Sequence, residues 1–218
     1  MTPKALLFDF GGTLDADGVA WKERFSRLVA EENTATSDFD QTFYQADDAL
    51  VGSLRSDAGL AETVVKLAHR VAQGLGHPEI GPRMADRFLD DAQGFLARST
   101  SLFGRLAGRY RLGIVSNFYG NLESVCRETG LSRHLSAVVD SAVVGAEKPD
   151  PRIFVAALEA LGAAAHETVF IGDSLARDMT GARGVGMAHI WLSPGETKAC
   201  CPADRVIRRL SDLEEVLA

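Results

Sequence analysis

Apolar positions along this chain come in two rhythms. Residues 5–10 form a short, almost wholly apolar run that stops at Gly11-Gly12, which predicts a buried parallel strand ending in a tight turn. Comparable runs recur at 112–116, 137–144, 169–171 and 188–192. Between them, residues 122–129, 151–161 and 175–184 carry helical patterns. Strands alternating with helices imply right-handed crossovers and a mostly parallel sheet covered on both faces. The predicted class is therefore α/β, a Rossmann-like three-layer sandwich. Near the end, Arg208-Arg209 and the acidic run at 212–215 predict a solvated terminal helix.

The stretch from about 15 to 99 has a different rhythm and no convincing strand. Trp21, Phe25, Leu28 and Val29 are spaced for a helix, as are Val64, Leu67, Ala68 and Val71, and then Phe88, Leu89, Ala92, Phe95 and Leu96. Gly52, Gly59 and Gly81-Pro82 punctuate these helices. This divides the chain into an α/β core, residues 1–14 and 100–218, and a small all-helical cap domain, residues 15–99. Ligands of open parallel sheets bind beyond the C-terminal strand ends. A block leaving the first strand there would lie over the pocket as a lid; a packing or dimerisation module is the alternative. The aromatic residues Trp21, Phe25 and those at 39–44 are expected to fill the helical core rather than face a substrate.

Composition narrows the function. The 218 residues are 46% hydrophobic and 24% charged, an ordinary globular balance. A net charge of -7 disfavours non-specific attraction to nucleic acid or anionic membranes. The N-terminal residues lack a signal-peptide pattern and no run approaches a membrane span, so the expected location is cytoplasmic, as monomer or homodimer. Cys126, Cys200 and Cys201 offer no disulfide framework or zinc spacing, and His69, His77, His134, His166 and His189 form no cluster.

Polar residues follow the apolar runs where strand ends should converge: Asp9, Ser116-Asn117, Asp173-Ser174, and Lys148 between a strand and a helix. Gathered carboxylates repel one another and a phosphate alike. A divalent cation resolves this, and hard oxygen donors favour Mg2+. Lys148 adds a point charge for phosphate, and the glycines after Asp9 let backbone N–H groups approach an oxyanion.

Four segments in order, LLFDFGGTLD, GIVSN, EKPDPRIF and FIGDSLARDMTGARGVGM, resemble the motifs of the haloacid dehalogenase superfamily. The resemblance implies that Asp9 attacks phosphorus of a small phosphorylated substrate and forms an aspartyl-phosphate. It places Thr13 at the motif's Thr, Ser116 and Lys148 on the phosphoryl group, and backbone N–H groups at Phe10, Gly11 and Gly12 around it. Asn117 contacts substrate or caps the following helix. Mg2+ would be held by Asp9, the Gly11 carbonyl and Asp173. Asp178 is a further ligand, or a partner of Arg177 or Arg183.

The resemblance also implies an acid/base Asp two residues after the nucleophile, where this chain has Gly11. A substrate with an easy leaving group, a stand-in carboxylate such as Asp15 or Asp17 (otherwise read as solvated hinge residues), or a non-catalytic binding role would each account for it. So would phosphonatase or dehalogenase chemistry; a phosphonatase needs a cap lysine, and the cap offers Lys22 and Lys66, both in surface-helix contexts. If the missing acid limits turnover, Gly11→Asp should raise it on alkyl phosphates by a factor of at least about ten.

Overall fold

The computed structural model describes residues 3–32, 38–195 and 205–217. In chain order, β1 (Ala5–Phe8) is followed by four helices, α1 (Trp21–Glu31), α2 (Phe39–Asp48), α3 (Leu60–Gly74) and α4 (Gly81–Leu106). Next come β2 (Arg111–Ser116), α5 (Leu122–Glu128), β3 (Ala137–Asp140), α6 (Ser141–Val144) and α7 (Pro151–Leu161). Then follow β4 (Thr168–Gly172), α8 (Thr180–Gly184), β5 (Ala188–Leu192), β6 (Arg205–Ile207) and α9 (Leu213–Leu217).

The six strands form one sheet in the order β3-β2-β1-β4-β5-β6, with every neighbouring pair parallel. Side chains of β1 alternate between two cores. Leu6 and Phe8 join a large cluster with the helical block, while Ala5 and Leu7 pack with Ile153, Phe154 and Met179 on the other face. Burial on both faces is why this strand reads as a continuous apolar run rather than an alternating one. The expected Rossmann-like α/β sandwich is what forms.

The inserted helices share their core with the sheet instead of forming a separate globule. Phe88, Val64 and Phe25 belong to the same buried cluster as Phe8 and Ile114. α4 is 26 residues long and runs through the expected boundary at 99–100, and its Phe103 ring lies 4.7 Å from that of Phe8. Three polar residues of α5 and the turn before it tie the block down. Asn121 Nδ2 donates to Ala58 O (3.0 Å) and Thr63 Oγ1 (2.8 Å), Ser124 Oγ to Asp57 O (2.8 Å), and Glu128 Oε2 accepts from Leu60 N (2.6 Å).

Four local expectations are corrected. The first strand stops at Phe8, not residue 10. The run 137–144 is not one strand, because Asp140 ends it. Its Oδ1 accepts from Ala142 N and opens α6, while Oδ2 accepts from Gly120 N and Leu122 N; such caps favour a helix start over a continued ladder. β6 was not foreseen, since three residues, Arg-Val-Ile, are too short for a periodic signal. The terminal helix is not wholly solvated: Leu210 and Leu213 are buried against the main core. Cys126 is buried and its thiol is pushed up to about 12 by that burial, so it stays protonated near neutrality. Cys200 and Cys201 lie outside the described residues. None of the described helices is long and apolar enough to cross a membrane.

Candidate active site

The chain builds β1, β2 and β3 outward on one side of the sheet, then crosses back to place β4 on the other side of β1. At that reversal the C-terminal ends of β1 and β4 stand side by side and a crevice opens. Asp9 leaves β1 there, its N–H donating to Ile171 O at 2.9 Å, and Asp173 leaves β4 next to it. Ser116 is the last residue of β2. Lys148 arrives from the loop before α7 and is held through its backbone. Asn117 Oδ1 accepts from Lys148 N (2.7 Å), and Asn117 Nδ2 donates to Lys148 O (3.2 Å). The helix-cap alternative for Asn117 does not hold, because α5 begins five residues later at Leu122.

The Lys148 ammonium sits between two carboxylates, 2.6 Å from Asp9 Oδ1 and 2.7 Å from Asp178 Oδ1, and the residue is 4% exposed. Ser116 Oγ donates to the same Asp9 oxygen at 2.8 Å. Burial alone would drive the Lys148 proton off, but Asp178 and Asp9 more than offset it and the pKa rises. Asp178 thus pairs with Lys148, and its other oxygen accepts from Ser174 N at 3.0 Å. Gly172 makes room for it, since a Cβ there would lie 2.4 Å from Asp178 Oδ2.

Asp9, Asp173 and Asp178 each offer an oxygen within 4.8 Å of the others. The Asp173 carboxyl is pushed well above its ordinary value, first by burial and then by the charges of Asp9 and Asp178, although Thr13 Oγ1 donates to it at 2.9 Å. Three carboxylates around one buried ammonium leave a deficit of positive charge. An all-oxygen donor set of this kind fits a hard divalent cation. The backbone bonds of the turn after Asp9 end on the carbonyls of Phe10 and Gly12, and leave the Gly11 carbonyl out.

Gly11 faces an indole. A Cβ there would lie 3.2 Å from Trp21 Nε1, tighter than most packed contacts. Trp21 cannot easily yield, because its Nε1 donates to Asp15 Oδ2 at 2.7 Å. Arg24 Nη1 donates to the same oxygen at 2.8 Å, and Gly12 N to Asp15 Oδ1 at 2.7 Å. Asp15 is fully buried and pinned, neither a solvated hinge nor a free acid. Asp17 Oδ1 accepts from Leu210 N and is likewise occupied. The tenfold gain expected for Gly11→Asp therefore meets a steric obstacle. The variant is expected to lose about 1–3 kcal/mol in urea unfolding through overpacking against Trp21.

Asp9, Ser116, Asn117 and Lys148 line a cavity of about 150 Å³. The helical block contributes Trp21, Phe43, Tyr44, Lys22 and Asp47 to its wall, so some of the aromatic residues assigned to the helical core also face the crevice. Lys22 is neutralised by Asp40 at 2.8 Å, and that contact holds its proton more tightly. A protonated amine is a poor Schiff-base nucleophile, which disfavours phosphonatase chemistry. Lys66 donates to Ser53 O instead. Asp47 and Tyr119 on this wall were not singled out from sequence, and Arg177, also on it, was named there only as a possible partner of Asp178. Arg177 lies within the fourth motif and was legible there; Asp47 carries no local signal. A larger hollow of about 430 Å³, lined by Phe95, Arg98, Arg105 and Arg209 among others, holds neither Asp9 nor Lys148, so volume alone misdirects.

Comparison with known proteins places this geometry. A haloacid dehalogenase-like hydrolase family model matches residues 3–186. A zebrafish (Danio rerio) haloacid dehalogenase-like hydrolase domain-containing protein 3 is 31% identical over 150 residues, which are 67% of this chain and 59% of that protein. A phosphoserine phosphatase of Thermus thermophilus is 40% identical over 87 residues, 40% of this chain and 34% of that enzyme. The matches to these curated relatives thus span less than two thirds of their lengths. Among solved structures, the magnesium-bound putative HAD-hydrolase YfnB of Bacillus subtilis covers 100% of this chain and 99% of its own, with TM-score 0.63 and 21% identity. At that identity the likeness speaks for the fold alone. The family match over most of the chain, on a sheet that gathers the motif residues at one rim, is sufficient: this chain belongs to the haloacid dehalogenase-like hydrolase family.

Proposed function

We propose that this protein is a magnesium-dependent phosphatase acting on a small phosphorylated molecule, with Asp9 as nucleophile. The observation that carries this reading is the Lys148 ammonium held between Asp9 and Asp178, with Asp173 beside them and Ser116 donating to Asp9. Bound magnesium, on Asp9, Asp173 and the Gly11 carbonyl with Asp178 at hand, would supply positive charge to the phosphoryl oxygens. Asp9 forms a bond to phosphorus while the bond to the leaving oxygen breaks, its electron pair departing with that oxygen. Water then attacks the aspartyl-phosphate, releasing phosphate and restoring the carboxylate. Lys148, Ser116 and the N–H groups at Phe10, Gly11 and Gly12 offset charge on the transferring group, with Asn117 steadying Lys148. The helical block acts as the cap, residues 15–99, over the core of 1–14 and 100–218.

A cavity of about 150 Å³ suits a small ester rather than a polymer. Relatives named for phosphoserine, glyceraldehyde 3-phosphate and pyrimidine nucleotides support the same class. With Mg2+ and acetyl or aryl phosphate, the wild type is expected to release phosphate, and Asp9→Asn to lower kcat on the order of 10⁴–10⁶-fold. Turnover surviving in Asp9→Asn would remove Asp9 from the chemistry. Magnesium binding without turnover would make this a binding protein on a hydrolase fold.

A further inference from the structure

We propose that Asp47, carried to the cavity wall by α2, is the acid–base residue of this enzyme, doing from the helical block what no side chain at position 11 can do. The assignment rests on the phosphatase reading above. Two carboxylates, Asp9 and Asp47, line the cavity among the described residues. Position 11 has no side chain, and the space a Cβ would need is taken by Trp21. Asp15 and Asp17 are committed to Trp21, Arg24, Gly12 and Leu210. Asp178 is committed to Lys148. Apart from the nucleophile Asp9, Asp47 alone among the described residues combines access to the cavity with an oxygen left over, since the Tyr119 hydroxyl donates to its Oδ1 at 2.5 Å and its Oδ2 is not engaged by that contact.

Its surroundings suit proton transfer. Burial pushes the Asp47 carboxyl above its ordinary value, the Tyr119 hydrogen bond and Arg177 pull it down, and Asp48 and Glu147 push it up, with a net rise. The other charged residues on the cavity wall are Asp9 and Lys148, which pair with each other, and Lys22, which is already paired with Asp40. In the first step the Asp47 proton passes to the leaving oxygen as the phosphorus–oxygen bond breaks and Asp9 bonds to phosphorus. In the second, the Asp47 carboxylate accepts a proton from the water that attacks the aspartyl-phosphate, and phosphate and both carboxyl groups are returned. Tyr119 is a positioning residue, holding Asp47 through its hydroxyl.

The competing role is a mere latch between α2 and the loop after β2. Asp47→Asn separates the two, because an amide oxygen still accepts from Tyr119 but the amide cannot deliver the proton. Kinetics would be measured with Mg2+ on acetyl phosphate, whose leaving group needs no proton, and on glycerol 1-phosphate, whose alkoxide does. The ratio of kcat/KM on the alkyl ester to kcat/KM on acetyl phosphate, which reports phosphoryl transfer alone and not the shared hydrolysis of the aspartyl-phosphate, is expected to fall about 10²-fold in Asp47→Asn. The wild type should lose kcat/KM on the alkyl ester as pH rises through the Asp47 pKa, and the variant should lack that limb. Tyr119→Phe removes a contact that lowers this pKa, so its limb should move to higher pH. An unchanged ratio, or a limb persisting in Asp47→Asn while Asp9→Asn is inactive, overturns the assignment and leaves the phosphatase reading standing. If the wild type turns over neither substrate, both readings fall.

Discussion

Lys148→Met is expected to abolish turnover and to destabilise the fold by about 3–5 kcal/mol, the range for removing one partner of a buried ion pair. The lysine is 4% exposed and its ammonium touches Asp9 and Asp178, so the methionine would leave both carboxylates buried beside Asp173 without their contacting cation, Arg177 being the charge that remains nearby. Uncompensated buried charge, not lost contact area, is the source of the loss. Added Mg2+ should therefore raise the Tm of the variant more than that of the wild type, because a divalent ion answers the same deficit. Urea unfolding and thermal melts with and without magnesium check both points. A loss below about 1 kcal/mol together with no magnesium response would show that this cluster is not held by charge.

A comparable stability loss, with no reacting group touched, is expected for Arg24→Met. Arg24 Nη1 donates to Asp15 Oδ2, Nη2 donates to Phe88 O at 3.0 Å, and the guanidinium stacks 3.5 Å from the Phe88 ring centroid. This one side chain joins the turn after β1 to α1 and α4, so it roots the helical block on the sheet domain. Its removal strands the Asp15 carboxylate, at a cost of about 3–5 kcal/mol. The defect has a sign in pH. Burial already pushes the Asp15 carboxyl up, and the loss of Arg24 pushes it further, so the folded state holds a proton more tightly than the unfolded one. The extra destabilisation is thus small below the ordinary Asp pKa and grows as pH rises through the folded value. Asp15→Asn combined with Arg24→Met should recover part of the loss, by removing the stranded charge. If the single variant unfolds at the wild-type urea concentration at pH 7, Asp15 is not the root of the block.

Sequence reading foresaw which side chains gather at one place where they lie on short contiguous segments. Asp9, Ser116, Lys148 and Asp173 each lie within a residue or two of a strand end or helix start, and a parallel sheet brings such ends to one rim whatever the distant packing. The role of Asn117 was misread in its cap alternative, because its partner is the backbone of Lys148, 31 residues away. Asp15 and Asp17 were read as solvated or as free acids, since nothing near them in the chain announces Trp21, Arg24 or Leu210 as partners. Asp47 was passed over for the same reason: on α2 it reads as one more surface acid, and only its contact with Tyr119, 72 residues on, marks it.

By itself the chain's pattern determined a doubly covered parallel sheet, an all-helical insertion after the first strand, and a rim of carboxylate, hydroxyl and ammonium groups. Apolar runs and strand-end polar residues encode these locally. Tertiary structure decided what fills the space at Gly11, which carboxylate Lys148 takes as its second partner, and which helical-block side chains reach the crevice. Those outcomes depend on how a helix pairs its buried face with a distant loop, and on which buried charges find partners, quantities that no window of neighbouring residues contains.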